Sequence, residues 1–257
     1  MMAIQIRDLH KQFGRHKVLQ GVDLDIVDGE TMTIIGGSGT GKSVTLKHMV
    51  GLLQADQGSI VIDGTDVIRS TSEADIVAAQ NKFGFLFQGA ALFDSLSVGE
   101  NVAFGLRNLR KDLSEPEIQG IVKEKLELVG LPGVQNMAPS DLSGGMRKRV
   151  GLARAIAHSP KYIVYDEPTT GLDPITADMI NELIVDMQKK LKVTSIVVTH
   201  DMVSAYKISD RIAMLYEGKI IEVGSPDQIK NTANPYVKQF VTGSSHGPIK
   251  LKLRAWD

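Results

Sequence analysis

The 257-residue sequence contains no cysteine. That absence excludes a disulfide framework, a thiolate zinc site, an iron–sulfur cluster and a cysteine nucleophile, and it suits a reducing cytoplasm. Charge of one sign is also lacking. Against 30 Asp+Glu stand 29 Lys+Arg, a net charge of −1, so nothing draws the whole chain to nucleic acid and no nucleic-acid partner is expected. No run of about 18 uncharged apolar residues occurs, and Arg7, Asp8 and His10 interrupt the stretch where a signal peptide needs an apolar core. The chain is therefore not expected to span a membrane by itself. Aromatic residues are few, at 5%, but 42% hydrophobic and 23% charged residues are the proportions of a globular chain rather than a disordered or fibrous one. At roughly 150 residues per domain, the length allows one large α/β domain or a main domain carrying a smaller subdomain.

Two kinds of strand are legible. Val22, Leu24 and Ile26 alternate with polar neighbours and predict a half-buried, antiparallel strand, with a similar one around Ile4 and Ile6. The apolar stretches Thr31 to Ile35, Tyr162 to Tyr165 and Ser195 to Thr199 have no polar face, as buried parallel strands require. Ile60 to Ile62 and Phe83 to Phe87 are further short strands. A glycine-rich turn, Gly36 to Gly41, leads from the first buried strand into a helix expected over Ser43 to Leu53. Thr176, Ile180, Leu183, Ile184, Met187 and Leu191 form a helical stripe between the last two buried strands.

Strand signals vanish from about 97 to 158, where helices are expected over Ser97 to Leu106, Ser114 to Val129 and Gly145 to Ala157. Ser114 with Glu117 three residues on makes a capping box. Near the end, Ile212 and Met214, a turn at Gly218 and the run Ile220 to Val223 predict a hairpin. The predicted fold is α/β, with a mostly parallel core sheet, an N-terminal antiparallel β subdomain and a helical insertion. The domain is expected to occupy 1–243, leaving 244–257 as a C-terminal extension whose plain reading is a mobile terminus.

The strongest chemical signal is Gly36-Gly37-Ser38-Gly39-Thr40-Gly41-Lys42-Ser43, which matches G-x-x-x-x-G-K-[ST] between a strand and a helix. Glycines let successive backbone N–H groups face a phosphate, and the positive end of the following helix adds attraction. Lys42 suits the β- and γ-phosphates, and the Ser43 hydroxyl suits Mg²⁺. A Mg²⁺–nucleotide site also needs a carboxylate. Asp166 and Glu167 supply two at the end of a buried strand, Asp166 for the metal and Glu167 to orient and deprotonate the attacking water. A second anion-binding turn, Ser143-Gly144-Gly145, opens another helix. One nucleotide does not need both turns, unless each copy lends the second one to the nucleotide held by another copy, sandwiching ATP in a dimer.

Taken together, Lys42, Gln88, Leu142-Ser143-Gly144-Gly145, Asp166-Glu167, Gly171-Leu172-Asp173 and His200 resemble the ATP-binding cassette ATPases in order and spacing over roughly residues 4 to 225. The resemblance implies that Phe13 stacks on adenine and that Val44 closes the phosphate-loop segment. It also implies that Gln88 senses Mg²⁺ and the attacking water while linking the site to a partner. Ser143 and Gly145 would contact the γ-phosphate across the dimer, Asp173 would lie on the loop that crosses to the opposite subunit, and His200 would hold the γ-phosphate and order Glu167. Met146 departs from the commonest signature, which has Gln there. The implied reaction is ATP + water to ADP + phosphate, with closure and reopening of the dimer carrying the energy out as motion.

Such a motor subunit works with a separate membrane permease, and Ala90, Ala91, Leu92, Phe93 and Leu96 form the apolar surface expected to receive a permease helix. Neither a long coiled-coil insertion nor a second cassette is present, as soluble nucleic-acid machines of the family usually carry. The segment Gly37-Ser38-Gly39-Thr40-Gly41-Lys42-Ser43-Val44 with Leu46-Lys47, Met146, and the tail Gln239-Phe240 with Gly247-Pro248 are similar to the ATPase subunits of Mla-type lipid transport systems. That likeness implies phospholipid movement with a permease, an MCE-domain lipid-binding protein and a small regulatory subunit, from the cytoplasmic face of the inner membrane. It also implies that the segment from Gly247 to Asp257 reaches a neighbouring ATPase subunit. A polar amino-acid importer ATPase and a soluble assembly ATPase are the alternatives.

Overall fold

The computed structural model describes residues 2–250. Its strands in chain order are β1 (Met2–Phe13), β2 (His16–Val27), β3 (Thr31–Ile35), β4 (Gln57–Ile62), β5 (Thr65–Asp66), β6 (Phe83–Leu86), β7 (Tyr162–Asp166), β8 (Thr194–Val198), β9 (Arg211–Tyr216) and β10 (Lys219–Gly224). The helices are α1 (Lys42–Met49), α2 (Glu73–Gln80), α3 (Val98–Leu109), α4 (Glu115–Leu128), α5 (Gly144–Ile156), α6 (Pro174–Leu191), α7 (Met202–Ile208), α8 (Pro226–Lys230) and α9 (Pro235–Thr242).

The strands sort into an antiparallel sheet in the order β2-β1-β4-β5 and a six-stranded sheet in the order β10-β9-β3-β8-β7-β6. In the second sheet β9, β3, β8, β7 and β6 run parallel, and β10 returns antiparallel through the Gly218 turn. Every residue of β3, β7 and β8 is buried, which explains their unbroken apolar character. Alternation still decides the face. Tyr162 and Val164 pack into the core shared with the antiparallel sheet, whereas Ile163 and Tyr165 join the core beneath the helical insertion.

The insertion, α3 to α5, lies between β6 and β7, and its expected capping box is formed: the Ser114 backbone N–H donates to Glu117 Oε2 at 2.8 Å. The α6 stripe is core as expected, with Ile180, Ile184 and Met187 buried and Leu183 and Leu191 partly buried against the same cluster. Three expectations need correction. The helix after the glycine turn stops at Met49 rather than Leu53, because Gly51 turns the chain with a φ of 74°. Helix α2 escaped the sequence reading, because it buries only Ala79 and so presents no apolar stripe. Of the expected apolar surface, Ala90 is buried under α5 and Leu92 packs toward the insertion core. Ala91 and Phe93 do line a groove, of about 390 Å³, which they share with Phe85, Phe87, Phe104 and Leu109 rather than with Ala90 and Leu92.

The start of the extension is held rather than loose. Gln239 Oε1 accepts the Ile249 N–H at 2.7 Å, and its Nε2 donates to the Ile249 carbonyl at 3.1 Å and the Ser244 carbonyl at 3.3 Å. The rest of the expected subunit-reaching segment, 251–257, lies outside the described residues.

Candidate functional site

The phosphate loop joins β3 to α1 at the C-terminal edge of the parallel sheet, where strand-end carbonyls give way to N–H groups of the helix. Two glycines are there for steric reasons. At Gly36 φ is 152°, and a Cβ would sit 2.3 Å from the Leu215 carbonyl oxygen; at Gly41 φ is 106°, and a Cβ would sit 2.7 Å from Leu19. The loop is braced from within, since Thr40 Oγ1 donates to the Gly37 carbonyl at 3.0 Å. Lys42 Nζ donates to the carbonyls of Gly36 at 2.8 Å and Gly37 at 2.9 Å. Burial pushes the pKa of this ammonium down, and the negative charges of Glu167 and Asp166 push it back up. Phe13, at the end of β1 and 46% exposed, shares a cavity of about 270 Å³ with Val18, Gly39, Gly41, Lys42, Ser43 and Val44. An aromatic face thus stands beside the phosphate loop. Ser38, between Gly37 and Gly39, is exposed on the loop crest.

The two carboxylates sit where β7 ends. Ser43 Oγ donates to Asp166 Oδ1 at 2.8 Å, so a hydroxyl and a carboxylate from residues 123 apart in sequence share one point. Hard oxygen donors of this kind fit Mg²⁺. Glu167 has turned out of the strand with a φ of 50°. Its N–H donates to the Val198 carbonyl at 2.9 Å, and its Oε2 receives the Thr170 hydroxyl at 3.0 Å and lies 2.9 Å from His200 Nδ1. The Glu167 side chain is 11% exposed and that of His200 is 60% exposed, so the imidazole reaches outward from an enclosed carboxylate. The arrangement can hold a triphosphate by its backbone and ammonium groups, a divalent cation by oxygen, and a water against a carboxylate.

Ser143, Gly144, Gly145 and Asp173 form a second cluster. Ser143 caps α5, its Oγ accepting the Met146 N–H at 3.2 Å, and Asp173 caps α6 by accepting the N–H groups of Ile175 at 3.1 Å and Thr176 at 3.0 Å. These hydrogen bonds, that of the Thr176 hydroxyl foremost, hold the Asp173 carboxyl below its usual pKa. Gly145 lies against Thr176, at 2.5 Å from an added Cβ. Ser143, Gly144 and Asp173 are all exposed, and among the described residues no hydrogen bond links this cluster to the phosphate loop. The Gln88 side chain is exposed as well.

Two participants escaped sequence reasoning. Thr170 supports the Glu167 carboxylate, and its three-residue spacing from Glu167 was the available signal. In the sequence Lys148 is one of three consecutive basic residues, Arg147 to Arg149, yet it is 5% exposed and donates to the carbonyls of Gln88 and, at 3.1 Å, Glu167. Its neighbours Gly151 and Ala155, small residues on the same helical face, were the only hint of close packing.

Comparison with known proteins places this geometry. A family model described as ABC transporter matches residues 19–170, more than half of the chain. The Mycobacterium leprae protein named "Probable ribonucleotide transport ATP-binding protein mkl" is 42% identical over 97% of this chain and 72% of its own length. The "Intermembrane phospholipid transport system ATP-binding protein MlaF" of Haemophilus influenzae is 39% identical over 99% of this chain and 96% of its own. Among solved structures, a dimeric post-hydrolysis ATP-binding cassette bound to ADP and Pi superimposes with a TM-score of 0.79 at 30% identity, covering 87% of this chain and 98% of that one. The chain belongs to the ABC transporter family, as its ATP-hydrolysing cassette.

Proposed function

We propose that this cassette hydrolyses ATP as a pair of identical copies, each completing the other's site, and that the pair drives a membrane permease that moves phospholipid. The observation carrying the lipid assignment is the end-to-end similarity to the phospholipid transport protein MlaF, over 99% of this chain and 96% of that one. For the pairing, the support is the outward-facing second anion turn: Ser143 and Gly144 are exposed and joined to Asp173's loop rather than to the phosphate loop of their own chain. A solved dimer of a similar cassette is the companion observation.

In this reading the loop N–H groups from Gly36 to Ser43 and the Lys42 ammonium bind the triphosphate, and Phe13 stacks on the base. Ser43 and Asp166 would hold Mg²⁺, which would supply positive charge against the developing negative charge of the transferred phosphoryl group. Glu167 accepts a proton from the water that attacks the γ-phosphorus as the bond to the β–γ bridging oxygen breaks. Both Thr170 and His200 keep the Glu167 carboxylate aimed. From the opposite copy, Ser143, Gly144 and Gly145 would approach the γ-phosphate beside Asp173, and the exposed Gln88 side chain would sense Mg²⁺ and the attacking water. The apolar groove beside Phe93 and Phe104 is taken to receive a permease helix, and the similarity to MlaF supports a position at the cytoplasmic face of the inner membrane with an MCE-domain lipid-binding protein and a small regulatory subunit as partners. The ATPase domain is taken as 1–243, its helical part as about 97–158, and 244–257 as the extension.

The test is to tag the chain, extract native membranes in mild detergent, and identify co-purifying proteins and lipids by mass spectrometry. A multi-span permease with an MCE-domain protein and bound phospholipid is the expected result. A permease arriving with a periplasmic solute-binding protein refutes the lipid assignment, and recovery of soluble partners alone refutes the transporter role.

A further inference from the structure

Lysine is rarely enclosed, because its ammonium ordinarily extends to water past an apolar stem. Lys148 on α5 is enclosed, at 5% exposed, and among the described residues no carboxylate forms an ion pair with it. Burying an unpaired cation is costly unless its donors are satisfied. Here two of the three N–H donors are satisfied by the backbone carbonyls of Gln88 and Glu167.

The position of those carbonyls follows from the sheet. In the parallel pairing of β6 with β7, Leu86 stands opposite Tyr165. Gln88 and Glu167 are each two residues farther on, where both chains have left the ladder and their carbonyls have lost a strand partner. One ammonium fills that fork. Six residues along α5, Arg154 donates to the carbonyls of Ala90 at 2.6 Å and Ala91 at 2.7 Å, both residues holding left-handed φ angles of 62° and 47°. Between the two cations Gly151 admits the loop, since an added Cβ would lie 3.2 Å from Ala90 Cβ. The same face of α5 therefore grips the segment from Gln88 to Ala91 at both ends, and only at Lys148 does it also grip the residue bearing the candidate base.

We infer that Lys148 is a positioning residue for hydrolysis: its ammonium ties the backbone of Glu167 to the backbone of Gln88, so that the carboxylate and the loop leading to the apolar groove move as one body. Occupancy of the groove then reaches the water-facing carboxylate through a single side chain. Burial pushes the Lys148 pKa down, and the charges of Asp166 and Glu167 oppose that shift. The inference rests on the reading of Glu167 as the base.

The experiment compares Lys148→Met, which keeps the stem and removes the donors, with Lys148→Arg, which restores a donating cation. Steady-state ATPase activity of the full chain is measured over a range of ATP concentrations, with thermal midpoints recorded. Misplacing a reacting group by an ångström costs up to about a hundredfold, so Lys148→Met is expected to lower kcat by at least about tenfold while KM for ATP stays within about threefold. Arginine is expected to recover kcat to within about threefold of the parent. A Lys148→Met enzyme turning over within about twofold of the parent overturns the inference. So does a loss that appears chiefly in KM, or one that arginine fails to restore. Glu167→Gln, run alongside, separates the two readings: if it is inactive while Lys148→Met is silent, the tie fails and the base stands, whereas a fully active Glu167→Gln removes the base and the tie with it.

Discussion

Asp63 ties the antiparallel sheet, which carries Phe13, to the parallel sheet, which carries the phosphate loop. It sits in the turn between β4 and β5, and its carboxylate receives Lys82 Nζ at 2.7 Å, Lys161 Nζ at 2.6 Å and the Tyr162 hydroxyl at 2.6 Å. Burial alone would raise its pKa, but the hydrogen bonds from Lys161, Lys82 and Tyr162 outweigh burial and hold it at about 2, against a reference value of 3.8. The Asp63→Asn substitution is a clean one, because φ at this position is 48° and Asn tolerates the left-handed conformation well. A shift of 3.8 − 2, about 1.8 pH units, corresponds to about 2.5 kcal/mol at 1.4 kcal/mol per unit. The two lysines are 38% and 42% exposed, so solvent screening reduces this to about 1–1.5 kcal/mol.

Because the folded-state pKa is depressed, the contribution is complete above pH 4 or so and is lost as the pH falls through about 2, with about half gone near pH 3. Urea denaturation of parent and Asp63→Asn proteins at pH 7, 5, 4 and 3 reads this directly, and the thermal midpoint at pH 7 should fall by roughly 2–6 °C for a chain of this size. At about 1 M salt the gap should narrow, as expected for half-exposed lysines. A gap that is absent at pH 7, or as large at pH 3 as at pH 7, refutes the account of Asp63 as an ionised tie between the sheets.

Three further outcomes are expected. Glu167→Gln preserves shape and removes the proton acceptor, so ATPase kcat should drop by about 10²–10⁴-fold while equilibrium binding of a fluorescent ATP analogue stays within about threefold; normal turnover would remove Glu167 from its role. Gly36→Ala sets a Cβ 2.3 Å from the Leu215 carbonyl in the neighbouring strand, at a φ of 152°, and should destabilise the fold by about 2–4 kcal/mol and weaken nucleotide binding. Unchanged urea midpoint and affinity would contradict this. The fully buried Asn101 side chain accepts the Phe93 N–H at 2.8 Å and donates to the carbonyls of Phe93, Leu96 and Ser97, so Asn101→Ala should cost about 3 kcal/mol in urea denaturation by leaving those backbone groups unpaired beside the apolar groove.

Much of the nucleotide site was legible in the sequence because its parts are local. A strand of unbroken apolar residues, a glycine turn and a helix opening on Lys42-Ser43 need only about a dozen consecutive residues to make an anion cradle, and the structure builds β3, the loop and α1 there. The same holds for the helix caps at Ser114, Ser143 and Asp173, where the side chain bonds to its own chain two or three residues on. Alternation and stripes likewise marked which strands are half-buried and which helix face of α6 meets the core.

What the sequence alone determined, then, are features whose partners lie within one turn or one strand: the phosphate loop, the caps at Ser114, Ser143 and Asp173, the alternating and the unbroken strands. Only the tertiary structure decided which distant residues meet. Ser43 and Asp166, 123 residues apart, share a hydrogen bond, and Glu167 finds His200 across the ends of β7 and β8. Lys148, one of three consecutive basic residues in the sequence, becomes a buried tie because β6 and β7 leave two carbonyls without a strand partner at the place where α5 packs. Asp63 gathers a lysine 19 residues away and another 98 residues away. In each case a polar group withdrawn from water must find a partner, and the topology of the parallel sheet, rather than any local pattern, determines which group is within reach.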